Sequence, residues 1–327
     1  MAFGFGNKKT LSIEEKKQWD EQLDAVLQAE NYQAAFAKAK EYEKLDKYAA
    51  SYYLAYLYYI GKGVKTQDVD KAATYITRYT EKFPEDGRGW FVGSDIMMVY
   101  KKPEDAIAYL TQADRLKVDG AGRKLANLCS YMGLAYRNAA WVTAKVEEYR
   151  GLNAKAIRCF TRSIQNYYQL YQVEQVQLEE FEWIQFGYVV HYMHYLALSG
   201  ALTSSLYDAD DLQQEIEAAY QLRDAASRDR TPAYWKELAV RVIEDMEAAG
   251  HRIPAIYTRA MLASSEADLE KSKDALEQAK ILLDQADEVA QDKAEYYRTE
   301  FADVWKEYER LVRVAQKDST KKKRGFS

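Results

Sequence analysis

Residues 50–72 constrain the fold more tightly than any other stretch. From Tyr52 to Ile60 nearly every position is apolar or aromatic, with Ala50, Leu54, Leu57 and Tyr58 at helical spacing. A helix apolar almost all round must be covered by other helices. Gly61 stands where the pattern stops, and Gly63 follows two residues on. Glycine takes a left-handed helix cap without a Cβ penalty, so this pair predicts a sharp reversal. Val64 can fold back as the apolar plug of that turn. Asp68 is placed to N-cap a second helix that opens on Lys71, Ala72 and Ala73. The small Ala72 permits a close crossing, and the stretch reads as a helix-turn-helix hairpin.

These residues resemble a known family. Leu54, Tyr58, Gly61, Gly63, Val64, Asp68, Lys71 and Ala72 match the pattern of a Sel1-like repeat, a relative of the tetratricopeptide repeats. Two departures stand out. Ala55 occupies a position where the family usually has Gly, and three residues rather than the more usual two separate Val64 from Asp68. The match covers about one repeat, under a tenth of the 327 residues. The resemblance implies a scaffold that works by binding other proteins, and it carries over no catalytic residue.

Neighbouring segments repeat the theme. The second helices of successive hairpins begin alike, at Gln33-Ala34-Ala35-Phe36, Lys71-Ala72-Ala73, Asp105-Ala106-Ile107 and Lys155-Ala156-Ile157. Ala35 to Ala72 is 37 residues and Ala72 to Ala106 is 34, while Ala106 to Ala156 is 50. The surplus falls in residues 137–152 and is expected to lengthen the first helix of that hairpin. Residues 121–136, with Leu128, Tyr131, Gly133, Leu134 and Tyr136, again resemble a tetratricopeptide first helix. Ser12 and Glu15 form a capping-box pattern opening a helix over 13–29, and Asn31 caps one to about residue 45. Further helices are expected over 48–60, 69–82, 88–100 and, from Pro103, 103–117. Phe83-Pro84 separates the middle pairs.

The expected organisation is a flexible tail over 1–11, repeats over 12–170, and degenerate helical repeats packed on them over 171–264. In this last part an aromatic segment spans 174–199 before Gly200, Asp208 caps a helix to about 228, and Thr231-Pro232 opens one that stops at Gly250. Pro254 is expected to start a short helix. Residues 265–316 contain no Gly or Pro, and Leu269, Leu276, Leu283, Ala290, Tyr297, Val304 and Leu311 recur every seven residues. Phe301, Tyr308 and Ala315 fill the second seam position. Two readings stay open here: a last hairpin broken near 291–293, or one long helix that clamps the chain or pairs with a partner, which would allow an oligomer. Residues 317–327 form a basic tail carrying Lys321, Lys322, Lys323 and Arg324. Such a run is a solvated end or a contact for nucleic acid, anionic lipid or an acidic patch. The fold class is all-α, a right-handed superhelix of these hairpins with one concave face and a C-terminal helical extension.

Composition narrows the function classes. Only 4 Pro and 15 Gly accompany 28 Tyr. The tyrosines either fill wide helix seams or line a groove for a peptide. Tyr52, Tyr56, Tyr59, Trp90 and Tyr131 are the candidate groove residues. A formal net charge of −5 with mixed signs argues against a nucleic-acid-binding body. Cys129 and Cys159 form no disulfide framework, which suits a reducing compartment. No signal-peptide pattern opens the chain and no membrane span is expected, Tyr188–Leu202 coming closest while carrying two histidines. With the family resemblance, a bacterial cytoplasm is the expected location.

Searching for chemistry returns little. His191 and His194 stand three apart on one helix face, a metal-capable spacing that needs a third ligand, and no Cys or acid stands at a matching position on that helix. Both read more simply as seam or surface residues beside Tyr188, Tyr192 and Tyr195. His251 follows the Gly250 stop. Glu179, Glu180 and Glu182, beside Phe181 and Trp183, have no catalytic spacing. Gly61-Lys62-Gly63 is too short for a phosphate loop, and Cys129 and Cys159 lack a neighbouring histidine. No catalytic residue, cofactor or metal is therefore expected. The expected partner is a protein or peptide held on the concave face, with a weak anionic contact through the tail as the alternative.

Overall fold

A computed structural model describes residues 11–198, 232–266 and 268–284, with scattered positions between 298 and 313. Gly200, the Asp208 cap, the break near 291–293, most of the heptad beyond Leu283 and the Lys321–Arg324 tail lie outside the described residues. Among the described residues every regular element is helical, and helices pack in adjacent pairs. None is long and apolar enough to cross a membrane. The chain divides into two compact units, residues 1–125 and 126–327.

The first unit holds α1 (Ile13–Gln28), α2 (Tyr32–Leu45), α3 (Ala50–Ile60), α4 (Val69–Lys82), α5 (Gly87–Val99) and α6 (Pro103–Arg115). Local chemistry sets almost every boundary. Ser12 and Glu15 form the reciprocal capping box of α1, and the Asn31 side chain accepts from the Ala34 amide at 3.2 Å. Gly61 ends α3 at φ +71°. Gly63 lies at φ +72°, where a Cβ would also overlap the Tyr32 carbonyl. Val64 packs back on the core of α1–α3. Asp68 caps α4, accepting from the Lys71 amide at 2.9 Å while the Lys71 ammonium lies 2.8 Å from the same carboxylate. Pro103 starts α6, where its missing N–H costs nothing. Each helix meets the next in sequence, and α3 also meets α5. Ala35, Ala72 and Ala106 are all fully buried, each on the second helix of an adjacent pair.

The helix α7 (Ala121–Val142) spans the division between the units. The second unit continues with α8 (Val146–Tyr168), one π turn (Gln169–Val173), α9 (Glu180–Leu198), α10 (Pro232–Ala248), α11 (Arg252–Ser265) and α12 (Leu269–Asp284). Its centre is α9, which packs against α8, α10 and α11. Trp183, Phe186, Val189, Val190 and Met193 are buried there with Phe160 and Tyr167 of α8 and Trp235 of α10. Gly187 lets α11 come close, because a Cβ would overlap the Thr258 hydroxyl.

Three expectations need correction. The surplus residues 137–152 do not extend one helix but both: α7 ends at Val142 and α8 begins at Val146. The Thr143 hydroxyl donates to Glu148 at 3.0 Å, and Glu147 and Glu148 favour a helix N-terminus there. The helix expected to start at Pro254 starts at Arg252 and runs 14 residues. Proline is tolerated anywhere in the first turn, where no amide donates within the helix, so it does not mark the first residue. Finally, the Gly- and Pro-free run is interrupted between Glu266 and Leu269, where Asp268 accepts from the Lys271 amide at 3.1 Å. It repeats the Asp68–Lys71 cap, ammonium included, at 2.9 Å. On α12 the seam residue Leu276 is buried against α11, and Tyr308 packs on the same cluster.

Candidate functional site

The first helices of the hairpins bring a charged, aromatic cluster together. Asp20 and Asp24 stand one turn apart on α1, Tyr52 and Tyr53 lie on α3, Tyr79 on α4, and Asp86 and Arg88 at the start of α5. Asp86 caps α5 through its carboxylate, which accepts from the Arg88 amide at 3.0 Å. The same carboxylate takes the Arg88 guanidinium in a fork, with Nε at 3.1 Å and Nη2 at 2.8 Å. The Tyr79 hydroxyl donates to Asp86 at 2.6 Å and accepts from Arg88 at 3.2 Å. Arg88 also lies 3.8 Å from Asp20 and 4.0 Å from Asp24, with its guanidinium 5.0 Å over the Tyr52 ring. The Tyr53 hydroxyl donates to the Asp20 carbonyl at 3.3 Å.

The electrostatics follow from this crowding. Burial would raise Asp86, but hydrogen bonds from Arg88 and Tyr79 outweigh it and hold its carboxyl below the ordinary range. Asp20 goes the other way: burial raises it, and Asp24 and Asp86 add to the shift against the pull of Arg88. Arg88 is raised by its hydrogen bond to Asp86. Burial pushes Tyr52 up to about 12. Three carboxyl groups, those of Asp20, Asp24 and Asp86, thus face one guanidinium, so acid outnumbers base in the cluster.

Farther along the same helices, Tyr56 and Tyr59 are half-buried on α3. Asp95 of α5 bonds Lys124, whose ammonium lies 4.5 Å over the Phe91 ring. Burial, then Asp95, raises the Tyr59 hydroxyl. This arrangement holds aromatic edges and charges. Among the described residues of the chain, no group of three or more His, Cys, Asp or Glu is placed to hold a metal ion.

The other residues singled out from sequence fall as follows. Leu54 and Ala72 are fully buried, and Tyr58 stacks on Tyr75 with ring centroids 5.9 Å apart. Trp90 is half-buried, donating to the Pro84 carbonyl at 2.8 Å and meeting Tyr109 edge-on. Tyr131 belongs to the second unit and is 66 % exposed. Cys129 and Cys159 are buried, and neither is in a disulfide among the described residues. His191 and His194 are both buried in the α9 seam. His194 Nδ1 lies 3.0 Å from the Pro232 carbonyl, and Nε2 lies 3.5 Å from Glu266, a partner 72 positions away in sequence. His191 is pushed down to about 3 by burial, then by Arg137 and His194. Glu182 is fully buried and accepts from the Glu179 amide at 2.8 Å. It also accepts from Asn127 at 3.3 Å, which in turn accepts from Tyr167 at 2.7 Å. That carboxylate caps the first turn of α9 and serves packing.

Arg88 and its acids are the residues that sequence reasoning missed. The Asp20–Asp24 pair one turn apart and the Asp86-x-Arg88 cap were visible signals, but nothing local joins segments more than 60 residues apart. Compared with known proteins, the chain matches no family model and no curated protein sequence.

Proposed function

We propose that the protein is a non-enzymatic interaction scaffold of the Sel1-like, tetratricopeptide type, in which α1, α3 and α5 present a face to a protein or peptide segment. The observation that carries this reading is the convergence of Asp20, Asp24 and Asp86 on the single Arg88 beside Tyr52. Surplus negative charge bordered by tyrosine rings fits a basic side chain on an extended segment, since aromatic faces and carboxylates both attract a cation. The buried Ala35, Ala72 and Ala106, spaced by 37 and 34 residues, support a right-handed superhelical repeat for the hairpins. The two buried free thiols fit a reducing compartment such as a bacterial cytoplasm.

Selection of displayed random peptides on the immobilised full chain tests the reading. The expected result is enrichment of Lys- or Arg-containing peptides next to apolar residues. Their binding should be lost in a variant combining Asp24→Lys with Tyr56→Ser and Tyr59→Ser at unchanged helicity. No enrichment, or peptides that the folded variant binds equally well, would refute it.

A further inference from the structure

A second surface lies away from that cluster and shares no residue with it. Between α4 and the α2–α3 junction is a cleft of about 570 Å³. Lys47 and Tyr48 form one wall, and Thr74, Thr77, Arg78 and Glu81 of α4 form the other. Its cations are held by rings. The Lys47 and Lys82 ammonium groups lie 4.8 and 5.5 Å from the centroid of the Tyr48 ring. The Arg78 guanidinium lies 5.1 Å over Tyr75. Lys47, Arg78 and Lys82 enter no ion pair among the described residues. Glu43 is an acid within electrostatic reach of Arg78. Its carboxylate already takes the Lys40 ammonium at 2.5 Å and the Tyr75 hydroxyl at 2.9 Å.

A ring orients a cation without neutralising it, so these three charges stay available to a ligand. Among the lining residues Lys47 and Arg78 outnumber Glu81, and Lys82 adds a third positive charge beside the cleft over the Tyr48 ring, on a chain whose net charge is −5. Arg78 and Lys82 stand one helical turn apart on α4, roughly 6 Å between side-chain origins, and Lys47 faces them from the other wall. Charges spread along two walls suit a row of carboxylates better than one small anion. In an extended chain, alternate side chains recur about every 7 Å on one side. Nucleic acid fits less well, because Glu81 lies in the wall and the Tyr48 ring already serves two ammonium groups where a base would stack.

We propose that this cleft binds an acidic segment of a partner protein, independently of the α1–α3–α5 face. The test is fluorescence anisotropy of labelled hexaglutamate with the full chain at low and moderate salt. Wild type should bind, more weakly as salt rises. A Lys47→Gln, Arg78→Gln, Lys82→Gln variant with an unchanged melting curve should bind at least tenfold more weakly. Changing Lys321, Lys322, Lys323 and Arg324 to Gln should leave binding as in wild type. The proposal is overturned if wild type does not bind, if the cleft variant binds equally, or if only the tail variant loses binding. It is also overturned if oligothymidylate of equal charge displaces the peptide at lower concentration than free hexaglutamate does. Asp24 and Tyr56 take no part in this measurement, so it can fail or succeed whatever the peptide selection returns.

Discussion

In the first unit α3 meets α2, α4 and α5, with every helix lying against its neighbours in sequence, whereas in the second unit α9 is enclosed by α8, α10 and α11. The polar residues record that difference. Among the described residues of the first unit the buried polar side chains are the hydroxyls of Ser51, Thr80 and Ser94, bonded to the carbonyls of Lys47, Ile76 and Phe91 at 2.6, 3.1 and 2.6 Å. The second buries Glu182, His191 and His194 on α9 alone. A helix in a stack keeps an open flank where charge can stay in water, as Arg88 and Asp24 do. An enclosed helix has no such flank, so its ionisable groups must be neutral or fully engaged. Solvent-facing charge therefore collects in the first unit, and buried polar groups collect in the enclosed one.

The largest test strikes the enclosed helix. Trp183→Ala removes the centre of an aromatic group that includes Tyr171 and Phe186. It should cost about 3–5 kcal/mol. Hydrogen exchange should rise across α8–α11 and stay as in wild type across α2–α5. Equal acceleration in both units would remove the distinction drawn between them. Gly63→Ala strikes the stack instead. It combines a positive φ with overlap on the Tyr32 carbonyl and should cost about 1–3 kcal/mol, read as a lower denaturation midpoint with faster exchange in α2–α4. An unchanged midpoint would mean that this turn does not hold the first hairpins together.

Acid separates the units without mutation. Burial lowers both His191 and His194. For His194 the Pro232 carbonyl and Glu266 oppose the shift and Lys236 assists it. A histidine whose folded pKa lies below its unfolded value lets the unfolded chain bind the proton first. Stability is then full above about pH 6.5 and falls as pH drops toward the folded value of about 3 for His191. In the first unit Asp46 and Asp86 are held below the ordinary carboxylate range. Their contribution is full above that range and is lost only as pH falls through it, while the raised Asp20 works the other way. The second unit should accordingly loosen first between pH 7 and pH 5, followed as exchange of α9 amides. His191→Phe should flatten that dependence. Simultaneous loosening of both units would count against the buried histidines as its source. The smallest effect is expected at Lys17→Ala, which breaks an exposed pair with Glu21 and should shift stability by no more than about 0.5 kcal/mol.

Much of the first unit was legible because its signals act over three or four residues. Ser12 with Glu15, Asn31, Gly61, Asp68 and Pro103 each set a boundary through a hydrogen bond or a backbone angle that the neighbouring residues complete. Asp268 carries the same signal with Lys271 inside the Gly- and Pro-free run. Of the candidate site, Tyr52, Tyr56 and Tyr59 were legible as one face of α3, since their spacing repeats the helical period. Trp90 and Tyr131 stand on other helices, so no spacing ties them to that face. The first turned out to brace a loop carbonyl, the second to stand exposed on another unit.

From the sequence alone followed the helical class, most helix ends and the small positions Ala35, Ala72 and Ala106, all of them buried. Short-range capping and the periodicity of apolar residues are written in adjacent letters. Tertiary structure alone decided that Arg88 gathers Asp20, Asp24 and Asp86, that Glu266 reaches His194, and that Lys47 and Arg78 line one cleft with Lys82 beside it over the Tyr48 ring. Those groups come from separate helices, and which of them meet depends on how side chains on facing helices interlock, a choice that no local pattern specifies.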